Sequence, residues 1–480
     1  MDDRTENTPL RVDFAFRRLL AEKLEGHRAS FCTQCGACVG DCPAARYDAT
    51  FNPRRIVLLA LYGAADELLG ERSPVWTCTN CANCAERCPQ QVKPVDIIIA
   101  LKNLLADRGR EPEAVGKVVE AFWQTGRTTQ TGPMVDKMRA AYGLGPLAPV
   151  PVEEVRALVG PEPDEEGPVP HSGDLGPTGA IAPWREPVLT PSNDPIALFL
   201  GCLIPSRHPA MEAAIRSCLS RLGVPLVDLP GISCCPDPIY VKSRDATDWL
   251  AVAARNLCVA EAAGVDLVTS CSGCTATLSE AHHHLREPAL RARVNGRLRR
   301  IGKEYKGTSA VRHVVAHLRD RVGIDAVRRS VVRPLTGLSV AVHYGCHLLK
   351  PSPVMAVDDP YDPGVLEDMV RALGATPVRH RSWALCCGKA CQDEELPSAM
   401  MRDLLASVQE EEADVLCLVC PTCFGQFDHG QARVAKRFGA DFHTPPVYLF
   451  QLLAFAQGTP WDQLGFDRQR FKPEALRRYE

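Results

Sequence analysis

Ten cysteines of this chain form two copies of one array, in which a lone cysteine is followed by a Cys-Cys pair and then by Cys-x-x-Cys. Five thiolates in each copy exceed the four that a tetrahedral zinc ion or one cubane cluster uses. Each set therefore predicts a larger, irregular iron-sulfur assembly, and two such sites in one chain suggest two-electron chemistry. The first set is Cys202, Cys234, Cys235, Cys271 and Cys274, and the second set is Cys346, Cys386, Cys387, Cys420 and Cys423.

Eight further cysteines repeat twice the Cys-x2-Cys-x2-Cys-x3-Cys-Pro spacing of bacterial ferredoxins. In two-cluster ferredoxins the fourth cysteine of each run ligates the other cluster, so the runs predict two cubane [4Fe-4S] clusters with exchanged fourth ligands. Such cubanes have a thiolate on every iron, so they pass electrons but offer no open position to a substrate. One cubane would be held by Cys32, Cys35, Cys38 and Cys88, and the other by Cys78, Cys81, Cys84 and Cys42. The alternative is a pair of structural zinc sites.

The first 145 residues read as a helical, cluster-binding domain. An apolar stripe of Phe14, Phe16, Leu19 and Leu20 predicts a first helix, and further helices are predicted over 54–69, after an Asn-Pro start signal, and over 94–105. Residues 146–195 are rich in proline, glycine and acidic residues and predict an extended linker.

Beyond residue 195, short apolar runs alternate with helical patterns, which predicts α/β units with mostly parallel sheets. The pattern occurs twice, over 196–335 (the first repeat) and 336–480 (the second repeat), so the fold class is a helical ferredoxin-like domain followed by an α/β domain with an internal two-fold repeat. Helices over 209–222 and 363–373 are each closed by a glycine, Gly223 or Gly374, suited to a left-handed cap. Strands are predicted over 196–202, 225–229 and 265–270, and again over 340–346, 376–379 and 413–419. In both copies the cysteines therefore follow the carboxyl ends of strands, where open α/β sheets place their ligands.

The composition of the 480 residues is ordinary for a globular protein, with 45% hydrophobic and 24% charged residues. The formal net charge of -3 gives no electrostatic reason to expect nucleic acid as a partner, and no apolar stretch is long enough for a membrane helix. The N-terminus shows no apolar signal segment, so we expect a cytoplasmic protein. There its 22 cysteines would stay reduced and serve metal or redox centres.

The cysteine arrays together with their neighbours resemble heterodisulfide reductase. Residues 195–455 resemble its catalytic B subunit, through Phe-Leu-Gly-Cys ending at Cys202, Ser-Cys-Cys-Pro from Ser233, Tyr-Gly-Cys-His from Tyr344 and Cys-Pro-Thr-Cys from Cys420. Residues 10–110 resemble its small iron-sulfur C subunit, so the chain looks like a fusion of C and B with two CCG cysteine-rich units.

The resemblance implies that each five-cysteine set holds a noncubane [4Fe-4S] cluster and that a disulfide is reduced, or a dithiol oxidised, between the two. It also implies that the family's A subunit, which bears flavin and iron-sulfur clusters, supplies electrons in electron-bifurcating complexes that can include hydrogenase or formate dehydrogenase modules. The family's substrate is the mixed disulfide of coenzymes M and B. Residues 388–395 depart from the family's glycine-rich stretch after the second Cys-Cys-Gly, so the expected substrate is that disulfide or a related one.

Several other residues have weaker claims. His343 and His347 flank Cys346 and are candidate proton donors to the leaving thiolates, while simple hydrogen bonding near a cluster is the alternative. Cys391 is expected to be a loop thiol, with an extra ligand or redox thiol as the alternative. Small buried hydrophobes are expected at Cys218, Cys258 and Cys417.

Two rival functions use the same motifs. The chain could be an iron-sulfur electron-transfer component of another dehydrogenase, of the glycerol-3-phosphate, lactate or glycolate type, although two complete five-cysteine sets favour a disulfide site. It could also be a zinc-bearing scaffold, which the two ferredoxin runs disfavour.

Overall fold

The computed structural model describes residues 10–24, 27–129, 131–160, 194–391 and 395–480. The described residues before 160 are helical, which confirms the helical prediction for the part up to residue 145. Its helices are α1 (Phe14–Lys23), α2 (Ala37–Gly40), α3 (Pro53–Tyr62), α4 (Ala65–Leu69), α5 (Asn83–Glu86), α6 (Pro94–Ala106), α7 (Glu113–Thr125), α8 (Pro133–Ala140) and α9 (Val152–Arg156).

The first repeat alternates strands and helices. Its elements are β1 (Ile196–Phe199), α10 (Leu203–Arg207), α11 (Pro209–Arg221), β2 (Leu226–Val227), α12 (Tyr240–Arg244), α13 (Ala246–Ala263), β3 (Asp266–Thr269), α14 (Ser272–His284), α15 (Pro288–Arg299), β4 (Val311–His313), α16 (Val314–His317) and α17 (Ile324–Arg329).

The second repeat has the same plan with fewer long helices. Its elements are β5 (Ser339–His343), α18 (Ser352–Met355), α19 (Val365–Ala372), β6 (Thr376–Val378), α20 (Glu395–Gln409), β7 (Val415–Leu418), α21 (Pro421–Gly425), α22 (Gln431–Phe438), β8 (Pro446–Tyr448) and α23 (Leu449–Ala456).

Each repeat contains one four-stranded parallel sheet. The strand orders are β2-β1-β3-β4 and β6-β5-β7-β8, so the two sheets have the same topology. In each sheet the chain leaves the first strand towards one edge and returns on its other side, which creates a crevice at the carboxyl ends of the two central strands. The lone cysteine and the Cys-x-x-Cys motif of each five-cysteine set begin at that crevice.

Three apolar cores hold the molecule together. One core is shared by both repeats and includes Ile215 of α11 and Phe450 of α23. A second core joins α7, through Phe122, to α13 of the first repeat. The third lies in the helical region around α3 and α6 and extends to Cys386 and Met400 of the second repeat. The helical region therefore contacts both repeats, and α6 also donates from Asn103 to the carbonyl oxygens of Lys242 and Ser243 in the first repeat.

Most predicted elements are found, with local differences. The helix predicted over 54–69 is broken at Gly63, whose φ of 77° ends α3 and whose would-be Cβ lies 2.7 Å from the Asp13 carbonyl oxygen. Of the apolar stripe in α1, Phe16 and Leu20 are buried, whereas Phe14 is 70% exposed. The edge strands β4 and β8, each of three residues, were not predicted.

The predicted linker over 146–195 falls largely outside the described residues. In its described part, the short helix α9 packs Val155 into the core of the first repeat, so this part is not extended throughout. The boundaries proposed between the domains stay a prediction. Among the described residues, no helix has the length and apolar character needed to cross a membrane.

Candidate metal centres and active site

One cavity gathers all ten cysteines of the two five-cysteine sets. Its empty space, including open solvent at its mouth, is about 740 Å³, and the two repeats line it from opposite sides. Apart from the cysteines, its walls include Asp237, His347, Lys389 and the Thr128 side chain of the helical region. The strand ends of both sheets thus face a single space.

The ten sulfur atoms form one continuous series of neighbours, each within hydrogen-bonding range of the next. The series crosses from one repeat to the other between Cys271 and Cys420, which are equivalent residues after β3 and β7. In order it runs Cys202, Cys234, Cys235, Cys274, Cys271, Cys420, Cys423, Cys387, Cys386 and Cys346. The order reads the same from either end, so a pseudo-two-fold axis passes between the two sets.

Left-handed glycines turn the chain into the cavity in both repeats. Gly201 lies two residues after the end of β1, and Gly345 lies two residues after the end of β5. Their φ angles are 66° and 68°, and each directly precedes the lone cysteine of its set. A Cβ atom at Gly201 would lie 2.6 Å from Cys274 Sγ, whereas one at Gly345 would lie 3.6 Å from Cys423 Sγ. The first set is therefore packed more tightly against its turn than the second.

Polar groups around the cavity differ between its two sides. Thr128 Oγ1 lies 3.1 Å from Cys202 Sγ, while His347 Nδ1 lies 3.2 Å from Cys346 Sγ. Burial acts to lower the pKa of His347, but the adjacent Cys346 thiolate more than offsets this, and the pKa rises to about 9. Asp237 accepts hydrogen bonds from two backbone amides, and burial raises its pKa.

The two histidines proposed as proton donors lie in different environments. His347 lines the cavity. His343 is in the core behind it, with its ring 5.3 Å from that of Phe427 and stacked at 5.9 Å on His380. Burial, with a smaller contribution from His380, lowers the pKa of His343 to about 3. Of the two, only His347 faces the space between the cysteine sets.

The ferredoxin-type cysteines line two smaller cavities in the helical region. The outer cavity, of about 320 Å³, is lined by Cys32, Cys35, Cys38 and Cys88. The inner cavity, of about 300 Å³, is lined by Cys78, Cys81, Cys84 and Cys42. Each cavity thus combines three cysteines of one run with the fourth cysteine of the other run, which is the grouping predicted for two cubanes with exchanged ligands.

The chemistry of these thiols fits iron-sulfur clusters. Burial, followed by the charges of neighbouring cysteines, raises the pKa of Cys38 to about 11 and that of Cys81 to about 12. A thiol in such surroundings becomes a thiolate when a metal cation compensates its charge. Within the described residues, no three His, Cys, Asp or Glu side chains are grouped around one point as the ligands of a single ion would be. The cysteines instead stand around the walls of cavities, as ligands of a larger cluster do.

The three cavities form a series from the surface to the centre. Cys35 of the outer cavity is exposed. Cys38 of the outer cavity is close enough to Cys84 of the inner cavity for its charge to raise the pKa of Cys84. Cys346 of the second set is likewise close enough to Cys81 of the inner cavity to raise the pKa of Cys81. The inner cavity therefore lies between the outer cavity and the second five-cysteine set.

Several residues at these sites carry no signal that predicted them. Thr128 lies in a loop after α7, with no motif around it. Two buried lysines, Lys102 of α6 and Lys350 after the second lone cysteine, contact Asn80 and Asn83 of the inner run. Only the asparagines have a position that the sequence could identify, because they lie between the cysteines of the run that contains Cys78, Cys81 and Cys84. The lysines reach the asparagines through tertiary contacts.

The remaining cysteines lie where their patterns suggested. Cys218, Cys258 and Cys417 are buried, and none of the 22 cysteines forms a disulfide. Cys391 is half-buried against the core of the helical region, close enough for its charge to reach Lys102 and Tyr240. Of the divergent loop 388–395, residues 392–394 lie outside the described residues.

Two known domain families match the chain. A cysteine-rich domain, CCG, matches residues 196–279 and again 340–428, one match in each repeat. A 4Fe-4S dicluster domain matches residues 28–92, the stretch that contains both ferredoxin-type runs.

Relatives among known proteins include separate B and C subunits of heterodisulfide reductases. The B subunit of the ferredoxin/F420H2-dependent CoB-CoM heterodisulfide reductase from Methanosarcina acetivorans is 38% identical over 57% of this chain and 92% of that protein. The C subunit of the H2:CoB-CoM heterodisulfide,ferredoxin reductase from Methanothermobacter marburgensis is 33% identical over 28% of this chain and 75% of that protein. The 8-methylmenaquinol:fumarate reductase membrane anchor subunit from Wolinella succinogenes is 30% identical over 56% of this chain and 95% of that protein.

A solved structure shares the fold over most of the length. The crystal structure of a hypothetical protein from Helicobacter pylori matches with a TM-score of 0.54, covering 90% of this chain and 73% of that one. Its 15% sequence identity limits the likeness to the fold.

Proposed function

This chain belongs to the heterodisulfide reductase family, with regions related to its B and C subunits in one polypeptide, and we propose that it reduces a disulfide between its two five-cysteine sets. It is an iron-sulfur oxidoreductase that acts on a disulfide, with a dicluster region for electron relay and two cysteine-rich CCG units.

The observation that carries the proposal is the single cavity lined by all ten cysteines of the two sets. Reduction of a disulfide takes two electrons and two protons and releases two thiols, so a site needs one place for each departing sulfur. Two equivalent sets facing one space provide two such places. A cavity that served one set alone would not suit a substrate with two sulfur atoms.

We assign a noncubane [4Fe-4S] cluster to each five-cysteine set and a cubane [4Fe-4S] cluster to each of the outer and inner cavities. When bound, these clusters supply one-electron transfer and, at the noncubane sites, iron that binds a soft sulfur ligand. The substrate would lie in the cavity between the repeats. His347, which lines the cavity beside Cys346, is placed to hold a proton for one departing thiolate, whereas His343 is not.

The substrate we propose is the mixed disulfide of coenzymes M and B or a related disulfide, with the reverse oxidation of two thiols available at the same site. Lys389, in the loop that departs from the family pattern, lines the cavity beside Cys387. Lys389 places a positive charge in the cavity wall on the side of the second set. The charged groups of a substrate will therefore influence its affinity for the cavity.

For partners, we propose a protein similar to the family's A subunit, with flavin and iron-sulfur clusters, that delivers electrons at the outer cavity, where Cys35 is exposed. Hydrogenase or formate dehydrogenase modules are candidates for further parts of the complex. We also propose a cytoplasmic location, because a reducing compartment would keep the 22 cysteines available as cluster ligands.

The experiment that tests this function is iron and acid-labile sulfide analysis of anaerobically purified protein, followed by EPR during titration with disulfides and thiols. We expect about sixteen irons per chain, from four four-iron clusters, and a new paramagnetic signal when a cognate thiol is added under mild oxidation. About eight irons together with zinc, or full iron with spectra indifferent to every thiol, would contradict a disulfide site.

A second candidate is an electron-transfer component of another oxidoreductase. It is favoured by the similarity to the membrane anchor subunit of the Wolinella succinogenes 8-methylmenaquinol:fumarate reductase, of which this chain covers 95%. The same titration separates the two functions, because full iron content without any response to thiols is the result expected for the second.

A further inference from the structure

We infer that Lys102 and Lys350 are positioning residues that raise the reduction potential of the inner cubane above that of the outer one, so that electrons move inward. This inference rests on the proposed function, because it requires a cubane in each of the two cavities. It concerns the order of the relay, which the cysteine motifs alone leave open, since both runs have the same spacing.

Lys102 reaches the inner run from α6. It is 2% exposed, and its Nζ donates hydrogen bonds to the Cys78 carbonyl oxygen at 2.8 Å and to Asn80 Oδ1 at 2.9 Å. Its ammonium group also lies 5.5 Å from the centre of the Trp76 ring. The ammonium group of Lys102 thus contacts the backbone of Cys78, a proposed ligand, and the side chain of Asn80, which precedes the proposed ligand Cys81.

Lys350 reaches the same run from the second repeat. It is 4% exposed, follows Cys346 by four residues, and donates from Nζ to Asn83 Oδ1 at 2.8 Å. Asn83 directly precedes Cys84, as Asn80 directly precedes Cys81. Two lysines from different parts of the fold therefore contact the two asparagines that separate the three cysteines of the run.

The ion pairs among the described residues include neither lysine, and the polar partners of both are neutral amide and carbonyl oxygens. A buried ammonium needs negative charge nearby, since its transfer out of water is costly unless it is paired. Both lysines contact the run whose cysteines line the inner cavity, so thiolates that hold a cluster there would supply such charge. Burial lowers the pKa of Lys102, and the thiolate charges of Cys78, Cys391 and Cys81 act against that effect.

The outer run has different residues at the same positions. Gln34 and Ala37 stand where the inner run has Asn80 and Asn83. Gln34 donates from its side-chain amide to Cys32 Sγ at 3.2 Å, and its backbone carbonyl oxygen accepts from the exposed Arg54 at 3.5 Å. A cation at an exposed position is screened by water, so it changes the potential of a nearby cluster much less than a buried one.

A fixed cation beside an iron-sulfur cluster favours the reduced form, because reduction adds negative charge. The difference between the two runs therefore makes the inner site the better electron acceptor. It also places that acceptor beside the second five-cysteine set, since Lys350 and Cys346 belong to the same loop and Cys346 influences Cys81. Net flow from the exposed Cys35 end towards the substrate cavity follows.

The test is an EPR-monitored redox titration of the anaerobic full-length protein with Lys102→Gln, Lys350→Gln and both changes together. We expect the equilibrium constant for one-electron reduction of the inner cubane to fall about tenfold per substitution, a shift of about 59 mV, with the outer cubane unchanged. Cys35→Ser identifies the outer signal, because it changes a ligand of that site only. Arg54→Gln is the matched control and should leave both potentials within a small fraction of that shift.

Lys350→Arg and Lys102→Arg retain the charge and should retain the wild-type potential at any site that keeps its iron. Full iron content with an unmoved inner potential in both Gln variants would overturn the inference and leave the proposed function intact. Equal shifts with Gln and Arg would also overturn it, because the contact rather than the charge would then matter. If the wild-type protein does not show two cubane signals, the proposed function itself is refuted, whatever the lysine variants show.

Discussion

The two repeats have the same strand order and the same cysteine set, but the helical region covers them differently. The first set is met by the loop after α7, where Thr128 contacts Cys202. The second set is met by the inner ferredoxin-type cavity, through Cys81 and Cys346. A nearly symmetric substrate site thus has one-sided access to electrons, and we expect them to enter at the second set and to reach the first from there.

The largest expected effect on disulfide reduction comes from replacing one cysteine ligand in either the first or the second five-cysteine set. Loss of a group that merely supports a metal ligand costs about 10- to 100-fold in affinity or activity, so Cys387→Ser and Cys235→Ser should each lower disulfide reduction by more than about 100-fold. The two variants should differ in electron arrival. With Cys235→Ser, electrons from a photoreduced donor should still reach the second set at the wild-type rate, whereas with Cys387→Ser they should reach the first set far more slowly.

Freeze-quench EPR after a light pulse measures this difference. Equal slowing of electron arrival in the two variants would mean that each set is supplied independently, and the one-sided entry would be wrong.

A matched pair of glycines compares the packing of the two sets. Gly201→Ala and Gly345→Ala share a strain of about 1–2 kcal/mol from the left-handed backbone. Only Gly201→Ala places its Cβ 2.6 Å from a cysteine sulfur, that of Cys274, so it should also lose about four irons per chain. Iron analysis checks this, and retention of full iron by Gly201→Ala would show that the first set adjusts as easily as the second.

The attachment of the helical region to the first repeat depends on a buried ion pair. Arg139 of α8 donates to Glu212 of α11 at 2.5 Å, with both side chains almost fully buried. Arg139→Leu leaves the Glu212 carboxylate with Arg216 alone, and we expect the free energy of unfolding to fall by about 3 kcal/mol.

On the second repeat, the corresponding contact joins Ser352 to Glu86, and Glu86→Gln should cost only about 1 kcal/mol. Urea unfolding followed by circular dichroism compares the two. The double change Arg139→Leu with Glu212→Leu should recover much of the loss, and a double variant as unstable as the single one would show that the carboxylate is not the cause.

The smallest expected effect is at Thr128. Thr128→Val keeps the side-chain shape but removes the hydrogen bond to Cys202 Sγ. Since such a bond is worth roughly 0.5–1.5 kcal/mol, the potential of the first-set cluster should fall by about 20–60 mV, while that of the second-set cluster stays the same. Thr129→Val, which removes only a contact with Ser206, is the control in the redox titration. Equal shifts in both clusters would contradict a local effect.

The sequence was informative about the cysteine sites because spacing and strand ends determine them. Cys202 and Cys271 follow neighbouring parallel strands, so they had to meet at one sheet edge once β1 and β3 were recognised. The repeated pattern then placed Cys346 and Cys420 in the same way. The grouping of the ferredoxin-type cysteines followed from a known motif.

The rest depends on contacts between distant segments. Lys350 belongs to the second repeat, yet it contacts Asn83 of the helical region, 267 residues away in sequence. Thr128 lies in a loop without regular pattern, and β8 begins with a proline and has only three residues. No local period or spacing identifies such residues, because their positions are set by how the helical region packs on the two repeats.

The junction between Cys271 and Cys420 has a further consequence for how such a site can arise. Because the series of sulfurs is symmetric about that junction, a chain with a single repeat could form the same arrangement only as a symmetric dimer. Joining both halves in one polypeptide removes the concentration dependence of that assembly. It also allows the two halves to differ in sequence, so that one side can specialise in receiving electrons.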